Sequence, residues 1–237
     1  MQKIIITAGG TSEKIDNVRK ITNSGTGKLG LAIANHLSPK DVMIYYVCSK
    51  NAVRPSNMAN VKVIEIEGTK DLKQTIETLL TTEKIDYFIH SMAVSDYTTD
   101  YVTTIERIKS SLQSKDTIDE ALKNVQTITG SKISSSEDNL VIVLKPTPKI
   151  ISIIKTLSPE TYLVGFKLLD NVSKEHLIAV ATKLRDKNHC DLVVANDLED
   201  IRNGNHLAYI IDKQDTIEEA YNKEDIVRKL TRRMFAH

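Results

Sequence analysis

The chain has 237 residues, of which 41% are hydrophobic and 27% are charged, a composition typical of a folded globular protein. Its 32 basic and 31 acidic side chains leave a net charge of +1, so no overall field favours a nucleic-acid partner. The longest apolar runs are strand-length, far below the roughly 20 residues of a membrane helix, and no membrane contact is expected. Two cysteines and six scattered histidines favour neither a disulfide scaffold nor a structural zinc site. The first residues lack a signal-peptide layout, which predicts a cytoplasmic enzyme.

Short apolar, β-branched runs alternate with longer amphipathic stretches along the chain. This alternation predicts an α/β fold, a Rossmann-like, mostly parallel sheet with helices on both faces, in a single domain over residues 1–237. The predicted strands cover residues 3–8, 42–48, 61–65, 85–91, 140–144, 162–166, 192–195 and 206–211. The predicted helices cover residues 28–37, 71–80, 149–157, 173–187 and 223–235.

One long segment, residues 98–136, interrupts this pattern. It is polar, rich in Thr, Ser, Lys and Asp, and has only a weak helical stretch at 117–122. Loops of this length inside compact domains are usually functional or disordered. The segment is therefore predicted to be an insertion that forms a flap.

Two loops rich in small residues lie near the amino terminus. The first strand ends at Gly9 and Gly10, where the backbone can approach a ligand closely and present its amides. The second loop, around Ser24 and Gly25, leads into the helix at 28–37. A tight turn is an equally good interpretation of the first loop by itself. Two such loops at one edge of a sheet indicate an anion site.

Neither loop matches a standard nucleotide fingerprint. Leu29 stands where a P-loop needs Ser or Thr, and G-x-G-x-x-G is missing after the first strand. The second strand also lacks the acid that would hold an adenosine ribose. The alternative function is a Rossmann-like NAD(P)-binding oxidoreductase, with Gly9 and Gly10 as a degenerate diphosphate loop and Lys50 facing a 2′-phosphate. No Tyr-x-x-x-Lys pair follows to support it.

Further polar residues follow the predicted strands. Asp96 comes just after the fourth strand, where open α/β sheets bind ligands, and an acid there can accept ribose hydroxyls or hold magnesium. By itself such an acid more often caps a loop, and the same holds for Asn196 and Asp197 after a later strand. Pro148, beside Lys149, suits the first turn of a helix and leaves amides free for phosphate binding or plain capping.

Taken in order, these segments resemble the phosphopantothenoylcysteine synthetases, the phosphopantothenate–cysteine ligases of coenzyme A synthesis. Residues 7–30 are similar to the family's opening signature, T-A-G-G-T-x-E-x-I-D-x-V-R-x-I-x-N-x-S-x-G-K-x-G. Four later blocks follow in the family's order: A-V-S-D-Y at 93–97, K-I-S-S at 132–135, V-G-F at 164–166 and V-A-N-D at 194–197. The resemblance covers nearly the whole chain and is to the free-standing form of the enzyme.

The resemblance implies a two-step reaction. The carboxylate of 4′-phosphopantothenate attacks the α-phosphate of a nucleoside triphosphate, giving an acyl-nucleotidylate and pyrophosphate. The amine of L-cysteine then displaces the nucleoside monophosphate to form an amide. Mg²⁺ is expected with the triphosphate, and the enzyme is expected to be a homodimer. CTP is favoured over ATP on overall size, although the K-I-S-S block is closer to the ATP-using eukaryotic members.

The resemblance also assigns roles to individual residues. Asn23 matches the residue that positions the activated carbonyl, and Lys132 matches a flap lysine that faces the phosphates. Both are expected to be catalytic, and no metal ligand is assigned to the protein. Asn196 and Asp197 join Asn23 at the substrate. The expected nucleotide-binding residues are Gly9, Gly10, Ser24, Gly25, Ala93, Asp96, Thr147, Pro148, Lys149, Ile150, Phe166, Lys183 and Lys187.

Overall fold

An eight-stranded, mostly parallel sheet runs through the protein, with helices against both faces. The computed structural model describes residues 1–56, 58–113 and 117–236. In chain order the elements are β1 (Gln2–Ala8), β2 (Ser12–Lys14), β3 (Lys20–Thr22), α1 (Lys28–Leu37), β4 (Val42–Ser49), β5 (Val61–Ile66), α2 (Thr69–Thr82), β6 (Tyr87–His90), β7 (Tyr97–Thr104), α3 (Ile105–Leu112), α4 (Ile118–Lys123), β8 (Leu140–Pro146), α5 (Ile150–Leu157), β9 (Tyr162–Leu169), α6 (Lys174–Asn188), β10 (Leu192–Asp197), α7 (Leu198–Arg202), β11 (Ala208–Asp212), β12 (Ile217–Ala220) and α8 (Lys223–Met234).

The strand order of the sheet creates a crevice beside β1. The order is β12-β11-β10-β9-β6-β1-β4-β5, parallel from β5 to β10, with β11 and β12 added antiparallel. The chain first builds outward from β1 to β4 and β5, and then returns to place β6 on the other side of β1. At such a reversal the flanking connections diverge to opposite faces, which opens a ligand-binding crevice at the carboxyl ends of the strands. Here that crevice lies between β1 and β6.

The core follows from strands that are apolar on both sides. Ile4, Ile5 and Ile6 of β1 are fully buried. Ile33 of α1 packs on one face with Ile4 and Ile6, while Ile76 of α2 packs on the other with Ile5. Each buried side chain of this size contributes about 1.5–3 kcal/mol relative to its exposed state. The alternation of faces along β1 thus fixes the sheet between two helical layers.

Close packing between α1 and β1 holds the second small-residue loop against the first. A Cβ at Gly30 would lie 2.7 Å from Cβ of Ala8, and a Cβ at Gly25 would lie 2.5 Å from the carbonyl oxygen of Gly9. Both distances are shorter than side chains tolerate. The two loops therefore touch through backbone, and glycine is required on the α1 side.

Residues 97–146 form an arm outside the central sheet. β7 and β8 pair antiparallel as a separate two-stranded ribbon, and α3 and α4 lie between them in the chain. The predicted strand at 140–144 is present, but the prediction that it belongs to the central sheet is wrong. Its apolar run predicted burial on both faces, whereas Leu140, Ile142 and Leu144 are 39%, 37% and 42% exposed. A two-stranded ribbon covers only one of its faces, so β8 keeps an open apolar side.

The predicted flap at 98–136 is more regular than its composition suggested. β7 and α3 were not predicted. β7 is mostly threonine and tyrosine, and α3, although it has apolar residues at 105, 108 and 112, is short and otherwise polar. The weak helical stretch at 117–122 is confirmed as α4. Residues 114–116 of the predicted flap lie outside the described residues.

The other predicted elements are confirmed, most of them to within two residues. α1 matches residues 28–37 at both ends, and α6 begins one residue after the predicted start, with the Ser173 side chain as a cap that accepts a hydrogen bond from the amide of His176. The short β2–β3 hairpin and the edge strand β12 were missed. In the described part of the chain, the helices are all too short or too polar to cross a membrane.

Candidate functional site

A cavity of about 740 Å³ opens at the carboxyl edge of the sheet, where β1 and β6 diverge. Both small-residue loops, the segment after β6, the start of α5 and the end of β9 contribute to its wall. The cavity brings together most of the residues that were expected to bind the nucleotide and one residue, Asn196, that was expected to bind the substrate. The predicted residues that line the cavity are Gly9, Gly25, Ala93, Asp96, Pro148, Lys149, Ile150, Phe166, Lys187 and Asn196.

The wall of the cavity carries a strong excess of positive charge. Asp96 is the one carboxylate among the described lining residues, and it forms an ion pair with Lys149. Converging cations of this kind raise the local concentration of an anionic ligand. Of the lysines in the wall, the sequence predicted only two. The lining lysines are Lys28, Lys149, Lys167, Lys187 and Lys223.

Backbone hydrogen bonds around Ala93 join three loops into one wall. The amide of Ala93 donates to the carbonyl of Gly9 at 2.9 Å, and the amide of Thr11 donates to the carbonyl of Ala93 at 3.1 Å. Nδ2 of Asn23 also donates to the Ala93 carbonyl, at 3.3 Å. The backbone amide of Asn23 donates in turn to the carbonyl of Thr11 at 3.1 Å. Asn23, expected to be catalytic, is thus held by its backbone and side chain beside the cavity.

A cluster of hydroxyl groups holds the base of the arm against this wall. The Ser95 amide donates to Oγ1 of Thr11 at 2.8 Å, and that hydroxyl donates to Oγ of Ser95 at 3.0 Å. The Thr147 hydroxyl donates to the Ser95 carbonyl, and the Thr147 amide donates to the Asp96 carbonyl at 3.0 Å. Thr147 was expected to line the nucleotide site, but it is buried beneath the wall and positions Asp96 through the backbone.

Lys132 lies on an exposed loop that is attached to the β2–β3 hairpin. The buried carboxylate of Asp16 makes this attachment, because its Oδ2 accepts from the amide of Ile133 at 3.1 Å. The amide of Asn17 donates to the carbonyl of Ser131 at 3.0 Å, and Arg19 donates to the carbonyl of Ile133 at 3.3 Å. Lys132 itself is exposed and does not line the cavity. We call residues 130–136 the Lys132 loop.

Hydrogen bonds to its anionic form lower the pKa of Asp16. The amide of Ile133 contributes most, followed by that of Arg19, which donates to Oδ1 at 2.7 Å. The carboxylate is therefore the form that holds the Lys132 loop in place. Sequence analysis missed this role, although both Asp16 and Arg19 lie within the I-D-x-V-R part of the opening signature.

Some predicted residues lie away from the cavity wall. The buried carboxylate of Asp197 accepts from the amides of Asn171, Val172 and Glu199 at 2.8–3.1 Å, so it caps α7 and fixes the loop after β9. These bonds, led by that of Val172, lower the Asp197 pKa. The other predicted residues that do not line the cavity are Gly10, Asn23, Ser24, Lys132, Thr147 and Lys183.

Several lining residues were not predicted. His90 ends β6, Lys167 lies on β9 beside Phe166, and His206 and Lys223 come from the carboxyl-terminal part of the chain. Lys167 could not have been indicated by strand alternation, which places it on the face of β9 opposite to Phe166, and it reaches the wall because the cavity lies at the end of the strand. His206 and Lys223 are far from the other segments in sequence, and only the packing of the chain brings them to the cavity.

A mostly parallel sheet with a cavity at its reversal point defines a Rossmann-like α/β protein, and the lysines of the wall make that cavity complementary to an anion. The model of the family described as DNA/pantothenate metabolism flavoprotein C-terminal domain matches residues 1–129 and 121–236, and the chain belongs to this family.

Two relatives support this assignment, and a third protein shares the fold. The coenzyme A biosynthesis bifunctional protein CoaBC of Thermococcus kodakarensis is 35% identical over 84% of this chain and 42% of its own length. The crystal structure of the DNA/pantothenate metabolism flavoprotein from Streptococcus pneumoniae has a TM-score of 0.87 and 38% identity, covering 100% of this chain and 99% of that one. A Cab2 H337A mutant in complex with phosphopantothenate-cysteine shares the fold, with a TM-score of 0.73 at 14% identity over 98% of this chain and 86% of that one. The chain spans about half the length of the curated CoaBC relatives that it matches.

Replacing Asp16 with Asn is expected to release the Lys132 loop. An amide accepts more weakly than a carboxylate, and its NH₂ group would face a backbone donor on one side. Hydrogen–deuterium exchange at the Ile133 amide should therefore become faster. Because the Asp16 pKa is lowered, the carboxylate should hold the loop fully at any pH above 3.8, the ordinary pKa of the group. This stabilisation should be lost as the pH falls through the lower pKa of Asp16 in the folded protein.

Asp138→Asn is the matched control, since Asp138 is exposed near the same loop. It should leave the exchange of the Ile133 amide unchanged. Equal exchange rates in the wild type and Asp16→Asn would show that the loop is held by other contacts.

Proposed function

We propose that the chain is a nucleotide-dependent ligase of coenzyme A biosynthesis that joins 4′-phosphopantothenate to L-cysteine through an acyl-nucleotidylate. The observation that carries this proposal is the lysine-lined cavity at the sheet reversal, with its glycine loops and Asn23 beside it. Two relationships agree with it: the CoaBC relative is named for coenzyme A biosynthesis, and a structural neighbour holds phosphopantothenate-cysteine.

The chemistry explains why such a cavity is needed. A carboxylate is a poor acyl donor at neutral pH and needs a good leaving group. Attack of the carboxylate on the α-phosphate supplies one, because the acyl group is then bonded to a nucleoside monophosphate. Two anions must then approach each other, and the transferring phosphoryl group must be stabilised by cations and amides. In this proposal the lysines of the cavity neutralise the triphosphate, and Lys132 faces the phosphates from its exposed loop.

The proposed role of Asn23 is in the second step. When the cysteine amine attacks, the carbonyl oxygen of the activated acyl group becomes negative. One N–H of the Asn23 side chain is used by the Ala93 carbonyl, and the second can donate to this oxyanion. The backbone hydrogen bonds of Asn23 and Ala93 fix the position of that donor beforehand.

Mg²⁺ is proposed to accompany the nucleoside triphosphate. The described residues form no group of three or more His, Cys, Asp or Glu side chains that could hold a metal. Mg²⁺ commonly binds through one or two carboxylates together with substrate phosphates, and Asp96 at the cavity wall suits that arrangement. When bound, the ion would neutralise phosphate charge. We favour CTP over ATP as the co-substrate.

The direct test is an assay of pyrophosphate release with each of the four nucleoside triphosphates. Release should require 4′-phosphopantothenate together with the preferred nucleotide, and amide product should form only when L-cysteine is added. The alternative oxidoreductase would instead change the nicotinamide absorbance band. Absence of pyrophosphate with all four nucleotides would refute the ligase proposal.

Asn23→Asp is expected to slow amide formation more than nucleotidylate formation. A carboxylate in this place repels the oxyanion and the Ala93 carbonyl, and loss of one such donor typically costs about 10²–10³ in rate. Single-turnover measurements of pyrophosphate and of amide product separate the two steps. Asn35→Asp, on the exposed face of α1, is the control. Full amide-forming activity in a folded Asn23→Asp protein would exclude this role.

Lys132→Gln is expected to slow the activation step without changing stability. The side chain is exposed and packs against no core residue, so its loss should leave the melting temperature unchanged. Stopped-flow measurement of pyrophosphate release gives the rate of activation. Lys123→Gln, on the exposed side of α4, should behave as the wild type. A normal rate for Lys132→Gln would mean that the Lys132 loop does not face the phosphates.

A homodimer is proposed to cover the open face of the arm. Leu140, Ile142 and Leu144 line one side of the ribbon at 37–42% exposure, an arrangement that a second copy of the chain would bury. The solution mass should be twice 26.5 kDa. Ile142→Lys should shift it toward the monomer, whereas Ile217→Lys on the exposed edge strand β12 should not. A monomeric wild type at micromolar concentration would contradict this assembly.

A further inference from the structure

A buried histidine lies at the point where the sheet reverses, and the proposed chemistry does not use it. His90 is the last residue of β6 and pairs in register with Thr7 of β1, the neighbouring strand across the reversal. Its side chain is only 8% exposed, yet it forms part of the cavity wall. A polar ring held so deeply needs hydrogen bonds on both nitrogens or a ligand that completes them.

The contacts of Thr7 determine which ring nitrogen carries the proton. Oγ1 of Thr7 lies 2.9 Å from Nδ1 of His90 and also accepts the amide of Met92 at 3.3 Å. The Thr7 hydroxyl has one proton to donate, and Nδ1 is the acceptor that the structure offers it. We take Thr7 as the donor to Nδ1, the arrangement in which its single proton is used, and the neutral ring then carries its proton on Nε2.

Nε2 faces the cavity without a protein partner. No described residue accepts a hydrogen bond from it, and it is not among the sealed, unpaired polar atoms of the described structure, so it is open to the cavity. Burial lowers the pKa of His90 to about 4, so the ring stays neutral at physiological pH. His90 thus presents a fixed, uncharged N–H donor to any ligand in the cavity.

The first turn of α5 contributes to the wall of the same cavity, and a Cβ at Gly165, the register partner of His90 on β9, would lie 3.2 Å from a side-chain carbon of that turn. Pro148, Lys149 and Ile150 line it, and no side chain caps the amides at the start of this helix. Open amides at a helix start carry a partial positive charge and bind phosphate oxygens well. The His90 donor and the α5 amides are therefore complementary to an acceptor that is anionic and has several oxygens.

We propose that Nε2–H of His90, together with the first turn of α5, forms a phosphate subsite, and that His90 donates to a phosphoryl oxygen of the bound nucleotide. This inference rests on the proposed function for the identity of the ligand. It assigns His90 to nucleotide binding, with Thr7 as the positioning residue that sets its tautomer. The neutral N–H donor orients the phosphate group through a directional hydrogen bond, while the lysines of the site supply the positive charge.

The first experiment uses the wild-type protein with ¹⁵N-labelled histidine rings. NMR should show the Nε2–H tautomer for His90, assigned by its absence in His90→Phe or His90→Gln. Tripolyphosphate, used as the probe for the phosphate chain, should shift Nε2 much more than Nδ1, whereas cytidine or adenosine should not. An Nδ1–H tautomer, or a shift with nucleoside but none with tripolyphosphate, would overturn the proposal.

The second experiment measures steady-state kinetics of variants. His90→Phe should raise KM for the nucleotide about 10-fold or more, the scale of one lost hydrogen bond to a charged acceptor, and leave KM for phosphopantothenate unchanged. His90→Gln, which keeps an N–H donor, should recover part of the loss, and Thr7→Val, which removes the hydroxyl beside Nδ1, should also raise the nucleotide KM. Phe88→Leu is the control for packing, because Phe88 is fully buried next to the His90 ring but lies outside the cavity wall.

The two proposals fail in different ways. An unchanged nucleotide KM in His90→Phe, in an enzyme that releases pyrophosphate, would overturn only the role of His90. Equal effects of Phe88→Leu and His90→Phe on the nucleotide KM would show that His90 acts only through packing, and would also overturn its proposed role in phosphate binding. A tripolyphosphate shift at Nε2 in a protein that never releases pyrophosphate would support the subsite and refute the ligase.

Discussion

The close approach of backbone segments at the end of β1 is the constraint on which the site depends. Gly25 contacts the carbonyl of Gly9 so closely that no side chain fits, and Ala93 hydrogen-bonds to the first loop through both its amide and its carbonyl. Two neighbouring loops and a third segment 70 residues further along the chain are thereby held within hydrogen-bond distance. The role proposed for Asn23 needs this rigidity, because an oxyanion donor is effective only when its position is set before the reaction.

Electrostatics at the site cannot be inferred from composition. The chain as a whole is nearly neutral, yet the cavity wall concentrates lysines around a single carboxylate in the described lining. The balancing acids lie elsewhere, as in the ion pairs of Asp212 and Glu218 with Arg233 near the carboxyl terminus. A net charge of +1 therefore argues against wrapping a polyanion but not against binding a small one.

The sequence predicts the fold well where burial determines structure, and less well elsewhere. The run Ile4–Ile6 predicts β1 because only a strand buried on both faces accommodates it, and α1 is predicted from its period and its preceding glycines. The same reasoning misplaces β8, since an apolar run does not reveal whether its partner is the main sheet or a ribbon. At the site, small-residue loops and Asp96 were predictable from their positions after strands. Asp16, His90 and Lys223 were not, because their roles depend on contacts made across long sequence separations.

The arm enters and leaves the sheet at one place. Tyr97 and Pro146 are paired at its base, and the Thr147 amide closes it by donating to the Asp96 carbonyl. The ends of this 50-residue excursion are thus fixed to each other independently of what lies between them. An insertion anchored in this way can lengthen, shorten or change partners during evolution while β6, α5 and the cavity keep their geometry. A change in the length or sequence of the arm is therefore compatible with an unchanged cavity beside it.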